Sequence, residues 1–331
     1  MDIREIDRSD EDQLRQFWQV GKLAEDAYRP YDFYVPWETA RTAYVEGRPG
    51  FESMMFGALD GDEVVGRAYL GYPMLDNTHL AFVDVHVRPD HQRRGIGRLL
   101  VDRASEAART FGRRTLVAET YGPLDQDGPG LAFARATGFT EALEQGMKIV
   151  DLVETEASWD ALAQEAAARM DGYALVPWVD VVPEELMDGY CHLNEAFNDE
   201  APSGELELEA EVWDAERVRG DEAQRRRAGR HVYAVAALAP DGTMAGITEA
   251  VVNDHAPERG LQSGTLVLPA HRGHALGLAM KVANHRALRA ALPQCRVLLT
   301  GNAGVNAAMN AVNDRLGYRE VERSVEVQKE L

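Results

Sequence analysis

Apolar and polar residues along this 331-residue chain follow two rhythms, of period 3.6 and period 2, and the same succession of them occurs twice. The segment Glu11 to Tyr28 has the spacing of an amphipathic helix. Met54 to Ala58 and Val64 to Gly71 read as strands around the turn residues Asp60-Gly61-Asp62, and Leu80 to Val87 as a third strand. Ile96, Leu99, Leu100, Ala104, Ala107, Ala108 and Phe111 fall at helical spacing. Thr115 to Ala118 returns as a strand, and Leu131 to Thr137 is a short helix stopped by Gly138. The second half repeats this order. His231 to Leu238, Ala245 to Val252 and Ser263 to Leu268 read as strands, with Pro240-Asp241-Gly242 as a turn. A helix face follows at Leu276, Met280, Ala283, Ala287 and Leu288, then a strand at Arg296 to Leu299 and a helix from Asn306 to Leu316 before Gly317. Hairpins followed by strand–helix–strand–helix predict an α/β class fold, a mixed α+β sheet with helices on both faces.

The recurrence is literal in places. Gly66 pairs with Gly246, Pro89 with Pro269, His91 with His271 and Gly97 with Gly277, each at a spacing of 180 positions, and Gly138-Phe139 pairs with Gly317-Tyr318 at 179. A spacing that holds over so much chain implies duplication of one domain. The expected organisation is a domain at 1–153, a linker helix at 154–172 and a second domain at 173–331. The length suits two domains.

Hydrophobic residues make up 45% of the chain, and no stretch reaches the roughly 18 apolar residues of a membrane helix. The acidic start Met-Asp-Ile-Arg-Glu-Ile shows no signal peptide, and the two cysteines, Cys191 and Cys295, form no CxxC or metal-ligand cluster. The expectation is a cytoplasmic protein without metal, a monomer or homodimer. The formal net charge of −20 disfavours nucleic acid and anionic membranes and suits a cationic small molecule. The run Glu205-Leu-Glu-Leu-Glu-Ala-Glu211 reads as a solvated face or as a rim that draws in such a cation, and Asn198 to Gly204 before it as a turn.

The sharpest local signal is Gln92-Arg93-Arg94-Gly95-Ile96-Gly97, between a strand and a helix. Unpaired N–H groups at a helix N-terminus, with the helix dipole behind them, bind a diphosphate, and glycines let it approach the backbone. Val87-x-Pro89 followed by Gln92-x-x-Gly95-x-Gly97 resembles the acetyl-CoA loop of the GNAT acyltransferase superfamily. Arg272-Gly273-His274-Ala275-Leu276-Gly277, after Val267-x-Pro269, resembles a variant with alanine for the first glycine. The second half, with Thr265-Leu-Val and His271-Arg-Gly-His274, resembles tandem GNAT proteins of actinobacterial type. The resemblance implies two tandem acyl-CoA N-acyltransferase domains and acetyl-CoA as cofactor. It also implies a cofactor arm laid between two splayed parallel strands, paired with backbone near His86 and Val87, or near Leu266 and Val267. Such domains often carry Asn, then Tyr seven residues on, as arm ligand and acid. Here Asn306 keeps the first in the second half, and Asn313, which has no titratable proton, replaces the second. The first half has Asp127 and Ala134 instead.

Candidates for handling protons follow. Glu249 lies in the otherwise apolar or small strand Ile247-Thr-Glu-Ala-Val-Val252, and its pKa would rise if desolvated. Asp84 and His86 share one face of their strand, which an alternating strand also needs for solvent. Tyr121, just past a strand end, is an alternative acid, while His91 and His271 suit capping or phosphate contact. Glu249 together with Asn306 favours the second half as the catalytic one. The expected function is acetyl-CoA-dependent N-acetylation of a primary amine on a small, cationic molecule. The alternatives are an acyl-CoA-binding sensor without turnover and acetylation of a protein lysine or N-terminus.

Overall fold

The computed structural model describes residues 1–29, 31, 33–200 and 202–331, with only the backbone considered at 198 and 199. In chain order the elements are β1 (Asp2–Glu5), α1 (Glu11–Tyr28), α2 (Trp37–Glu46), β2 (Phe51–Asp60), β3 (Glu63–Pro73), β4 (Leu80–Val87), α3 (Ile96–Thr110), β5 (Thr115–Gly122), α4 (Pro129–Ala136) and β6 (Thr140–Asp151). There follow α5 (Leu152–Thr155), α6 (Trp159–Ala167), β7 (Ala174–Val179), α7 (Met187–Glu200), α8 (Ala215–Arg227), β8 (Arg230–Leu238), β9 (Met244–Asn253), β10 (Ala256–Val267), α9 (Leu276–Ala291), β11 (Val297–Ala303), α10 (Ala307–Arg315) and β12 (Arg319–Glu330). They form two compact units. The first comprises Met1–Glu144, Ser203–Glu209 and Glu322–Leu331; the second comprises Gln145–Pro202 and Ala210–Val321.

In the first unit β1 to β4 pair antiparallel in sequence order, and β4 pairs parallel with β5. Alternation along β2 and β3 sends residues to two cores. Phe56, Ala58, Val65 and Leu70 meet Ile96, Leu100 and Ala104 of α3, while Met55, Leu59 and Val64 meet Phe17, Val20, Trp37 and Tyr44 of α1 and α2. Asp10 starts α1 by accepting from the N–H groups of Asp12 and Gln13. Gly66 is required by close approach: a Cβ there would lie 2.8 Å from Ile96. Its repeat counterpart Gly246 would bring a Cβ 2.6 Å from the Leu266 carbonyl oxygen. In the second unit β7 to β10 likewise pair antiparallel, β10 pairs parallel with β11, and α9 covers one face.

Each unit takes its last strand from the far half of the sequence. Residues Arg323–Glu330 of β12 run antiparallel to β5, and Val325 and Val327 enter the first core. Residues Gln145–Asp151 of β6 run antiparallel to β11, and Val150 enters the second core. The units therefore do not part at one point of the chain, because strand alternation defines a buried face but not which sheet receives it. The helix expected as a linker packs in the second core through Trp159 and Ala166. Residues 203–209 belong to the first unit, tied by Glu205 N–H to Ala142 O at 2.9 Å and Glu209 N–H to Asn77 Oδ1 at 2.7 Å. Of the turn expected at 198–204, residues 198–200 continue α7 and Ala201 lies outside the described residues. Both cysteines are buried and free. No described helix is long and apolar enough to cross a membrane.

A chain ended after Val321 loses the strand that closes the first unit. Hydrogen exchange should then show β5 and α3 deprotected while β10, β11 and α9 stay protected; equal protection in both would contradict this division.

Candidate active site

The parallel pair β4–β5 lasts only from Leu80↔Thr115 to Phe82↔Val117, although β4 continues to Val87 and β5 to Gly122. Beyond Phe82 the strands part, and β4 keeps its antiparallel partner β3 as far as Val87. A cleft of about 1080 Å³ occupies the gap, bounded by β4, the loop at 92–97, α4 and the end of α1. The loop alternates left-handed residues, Arg93 at φ 63° and Gly95 at φ 83°. Gly95 occupies the N-cap of α3 and offers no side-chain cap, so the first N–H groups of α3 are left for a ligand. A Cβ on Gly97 would stand 2.9 Å from the ring of Phe133, which lines the cleft. Gln92 turns inward, its Nε2 donating to Val87 O at 3.1 Å, and Arg94 donates to Asp90 O. An uncapped helix start, left-handed loop positions and an adjoining cleft fit a diphosphate-bearing cofactor.

At the other end of the cleft the side chains form a chain of alternating charge. The buried Arg67 guanidinium donates to Tyr34 Oη at 2.6 Å and to Tyr44 Oη at 3.2 Å, and bonds Asp84 Oδ2. Asp84 Oδ1 lies 2.9 Å from His86 Nδ1, and His86 Nε2 lies 3.1 Å from Glu25 Oε1. Glu25 Oε2 accepts from Arg29 at 2.5 Å. Arg29 in turn forks onto both oxygens of Glu322 and lies 3.5 Å from the centre of the Tyr121 ring. Tyr121 donates to Glu119 at 2.6 Å, and Ser324 bonds the other Glu119 oxygen. Burial opposes charge on His86, but the Asp84 and Glu25 carboxylates outweigh it and push its pKa up to about 9. Asp84 is held well below the carboxylate range: burial opposes this, and the His86 and Arg67 charges overcome it. Burial and the Glu119 carboxylate raise Tyr121 well above the usual phenol value. Asp84 keeps 45% of its side-chain surface exposed and His86 17%, so the Asp84 carboxylate is open to the cleft while the His86 ring nitrogens are covered by their carboxylate partners.

The second unit repeats the backbone and changes the side chains. Parallel pairing of β10 with β11 spans Arg259↔Val297 to Leu261↔Leu299. Gly273 and Ala275 are left-handed at φ 93° and 56°, at the repeat spacing from Arg93 and Gly95, and Ala275 leaves α9 without a side-chain cap. Arg272 Nε donates to Val267 O at 3.1 Å, as Gln92 does to Val87. This loop is also engaged by its own unit. Arg169 donates to Gly273 O at 3.0 Å, His274 Nδ1 lies 3.0 Å from Asp171, and Arg272 pairs with Glu200. Leu266 and Leu276 are buried and Gly277 is half-buried. Asn306 caps α10, accepting from the Met309 N–H at 3.2 Å. Asn313 is fully buried, accepting from Lys281 Nζ at 2.5 Å and donating to Asn302 at 2.6 Å. Glu249 accepts from the Tyr190 hydroxyl at 3.0 Å, and burial raises its pKa despite Arg225 nearby.

The structure thus brings Asp84, His86 and the 92–97 loop to one cleft, with Tyr121 at its rim. Glu249 and the 272–277 loop belong to the other unit. Sequence reasoning missed Glu25, Arg29, Arg67 and Glu322. Arg67 carried a signal, as a charge inside the apolar run Val64-Val65-Gly66-Arg67-Ala68, and Glu25 and Arg29 stand at i,i+4 spacing. Glu322, 293 positions from Arg29, carried none.

Against known proteins, residues 17–139, which carry the cleft loop, match the model of the acetyltransferase (GNAT) family. Residues 17–139 therefore have the pattern of a GNAT acetyltransferase domain. Over its whole length it is similar to a tandem GNAT protein from the clavulanic acid biosynthesis pathway, at 29% identity and TM-score 0.83, covering 99% of this chain and 98% of that one. A GCN5-related N-acetyltransferase from Sphaerobacter thermophilus matches at 15% identity and TM-score 0.65, over 99% and 95% of the two chains. One from Kribbella flavida matches at 15% and 0.51, over 99% and 70%. These last two speak to the fold alone. No curated protein matches the chain.

A folded-state pKa of His86 near 9, against 6.5 unfolded, sets the sign of a pH effect. The stabilisation is complete below about pH 6.5 and is lost as pH rises through 9, on the order of 3 kcal/mol in all. Chemical denaturation of the wild type between pH 6 and 10 should show this loss, and His86→Gln should flatten it; parallel curves would contradict the pairing.

Proposed function

We propose that the chain is an acetyl-CoA-dependent N-acetyltransferase whose first unit transfers the acetyl group to the primary amine of a small, cationic molecule. The observation that supports this is the joining, in one cleft, of the uncapped start of α3 to the Asp84–His86–Glu25 relay. Acetyl-CoA, when bound, supplies an acetyl group activated as a thioester. The N–H groups at Ile96 and Gly97 would hold its diphosphate, and the β5-facing backbone of Val83 to Val87 would hold its arm. The apolar walls, among them Val83, Val85 and Phe133, exclude water from the reacting atoms. The carboxylates of Asp84 and Glu25 draw in an ammonium ion. The ammonium passes one proton to the carboxylate it contacts, and neutral His86, paired with that carboxylate, takes the proton up as the imidazolium that the two carboxylates stabilise, leaving a nucleophilic amine.

A second reading rests on Glu249, whose buried carboxylate, held by Tyr190, is a base candidate in the unit that carries the 272–277 loop. Thiol release from acetyl-CoA against a panel of amines separates the two. Gly97→Glu should abolish turnover through the clash at Phe133 and the added charge, while Gly277→Glu and Glu249→Gln should leave most of it. The reverse pattern places the chemistry in the second unit. Binding of acetyl-CoA with no amine turned over favours the sensor reading.

With the first unit at work, kcat/KM should rise with pH and level off above about 9. His86→Gln should lower it about 10²–10⁴-fold and remove that inflection. A His86→Gln profile with the wild-type inflection would exclude His86 as the base.

A further inference from the structure

Arg29 has its donors spoken for: Nε and Nη2 fork onto Glu322, and Nη1 reaches Glu25. The central carbon of its guanidinium also lies 3.5 Å from the centre of the Tyr121 ring. A guanidinium fork and a carboxylate fix each other in one plane. Glu322 is only 2% exposed, so solvent screens it little, and both of its oxygens meet Arg29. The consequence reaches further along the relay. Glu25 is shared between two cations, Arg29 on Oε2 and His86 on Oε1. With Glu322 in place Arg29 is already neutralised, and Glu25 is left to face His86.

We propose that Glu322, carried into the first unit by β12, is a positioning residue for His86, acting through Arg29 and Glu25. This rests on the reading of His86 as the proton acceptor in the first unit. Ser324, two residues on along the same strand, plays the matching part on the other side by fixing Glu119, which holds Tyr121 beneath Arg29. The last strand of the chain therefore sets the geometry of a site whose other parts lie before residue 122.

The groups that face His86 and its partners are known from each packed element. Glu25 comes from α1, Arg29 follows it, Tyr34 lies before α2 and Tyr44 on it, Arg67 is on β3, Asp84 on β4, and Glu119 and Tyr121 are on β5. Among these, removing the Glu322 charge leaves Arg29 balanced by Glu25 alone. The net field at His86 then becomes less negative, and its proton is held less tightly. Removing Arg29 as well takes away the excess positive charge and restores the balance.

The experiment is an NMR titration of the His86 ring in the full-length chain, compared among wild type, Glu322→Gln, Glu322→Asp and the double variant Arg29→Gln/Glu322→Gln. Glu322→Gln should lower the His86 midpoint by on the order of half a pH unit, the scale of one carboxylate lost two ion pairs away. Glu322→Asp should recover part of the shift, and the double variant should return the midpoint to the wild-type value or above. An unchanged midpoint in Glu322→Gln would overturn the proposal. So would an equal fall in the single and double variants, the signature of mere loosening. If Glu322→Gln does not fold, the double variant against Glu322→Asp decides on the same signs. The titration needs no turnover, so a responsive His86 in a protein that acetylates nothing would keep this inference and discard the function.

Discussion

Three residue pairs hold β4 to β5, and everything the first unit can do depends on the strands parting after them. A parallel pair that continued to Val87 would satisfy its own backbone groups and leave no room for a ligand. Because β3 still pairs with β4 up to Val87, the strand stays rigid while one of its edges is open. The loop at 92–97 then starts α3 at the mouth of the gap, with left-handed backbone at Arg93 and Gly95 and no side chain to occupy the helix end. The second unit keeps this backbone design but ties its loop to Arg169, Asp171 and Glu200. Duplication has preserved the geometry more faithfully than the chemistry.

Burying charge is costly unless each charge meets its opposite, and a partner removed is worse than a pair removed. The relay from Arg67 through Asp84, His86, Glu25 and Arg29 to Glu322 meets that condition at every step. Its by-product is a histidine whose proton affinity is set by two carboxylates on opposite ring nitrogens. Such a ring is a poor acid at neutral pH and a strong base once neutral, which suits deprotonation of an ammonium ion.

Much of this was legible in the sequence. The 180-residue spacing gave the duplication, and the Gly66 and Gly246 pair turns out to mark close approaches, of Ile96 on α3 at the first and of the Leu266 carbonyl on β10 at the second. Alternation along Leu80 to Val87 placed Asp84 and His86 on one face, and the structure brings them within 2.9 Å. What was not legible is long-range. Strand alternation in β6 and β12 says that one face is buried but not in which sheet, so the strand exchange was invisible. Glu322 is one more acidic residue in an acidic chain until Arg29 is placed beside it. In the second half, Asn306 and Asn313 stand at motif spacing, yet their side chains serve a helix cap and a buried bond to Lys281. Spacing along a helix fixes a face, not what that face meets.

On the proposed function, the first cleft, and not its repeat, receives acetyl-CoA. Hydrogen exchange with and without acetyl-CoA tests it most directly, because it reads both loops in one sample and needs no acceptor. Exchange should slow at residues 83–98 and change little at 263–278. Slowing confined to 263–278 would contradict it.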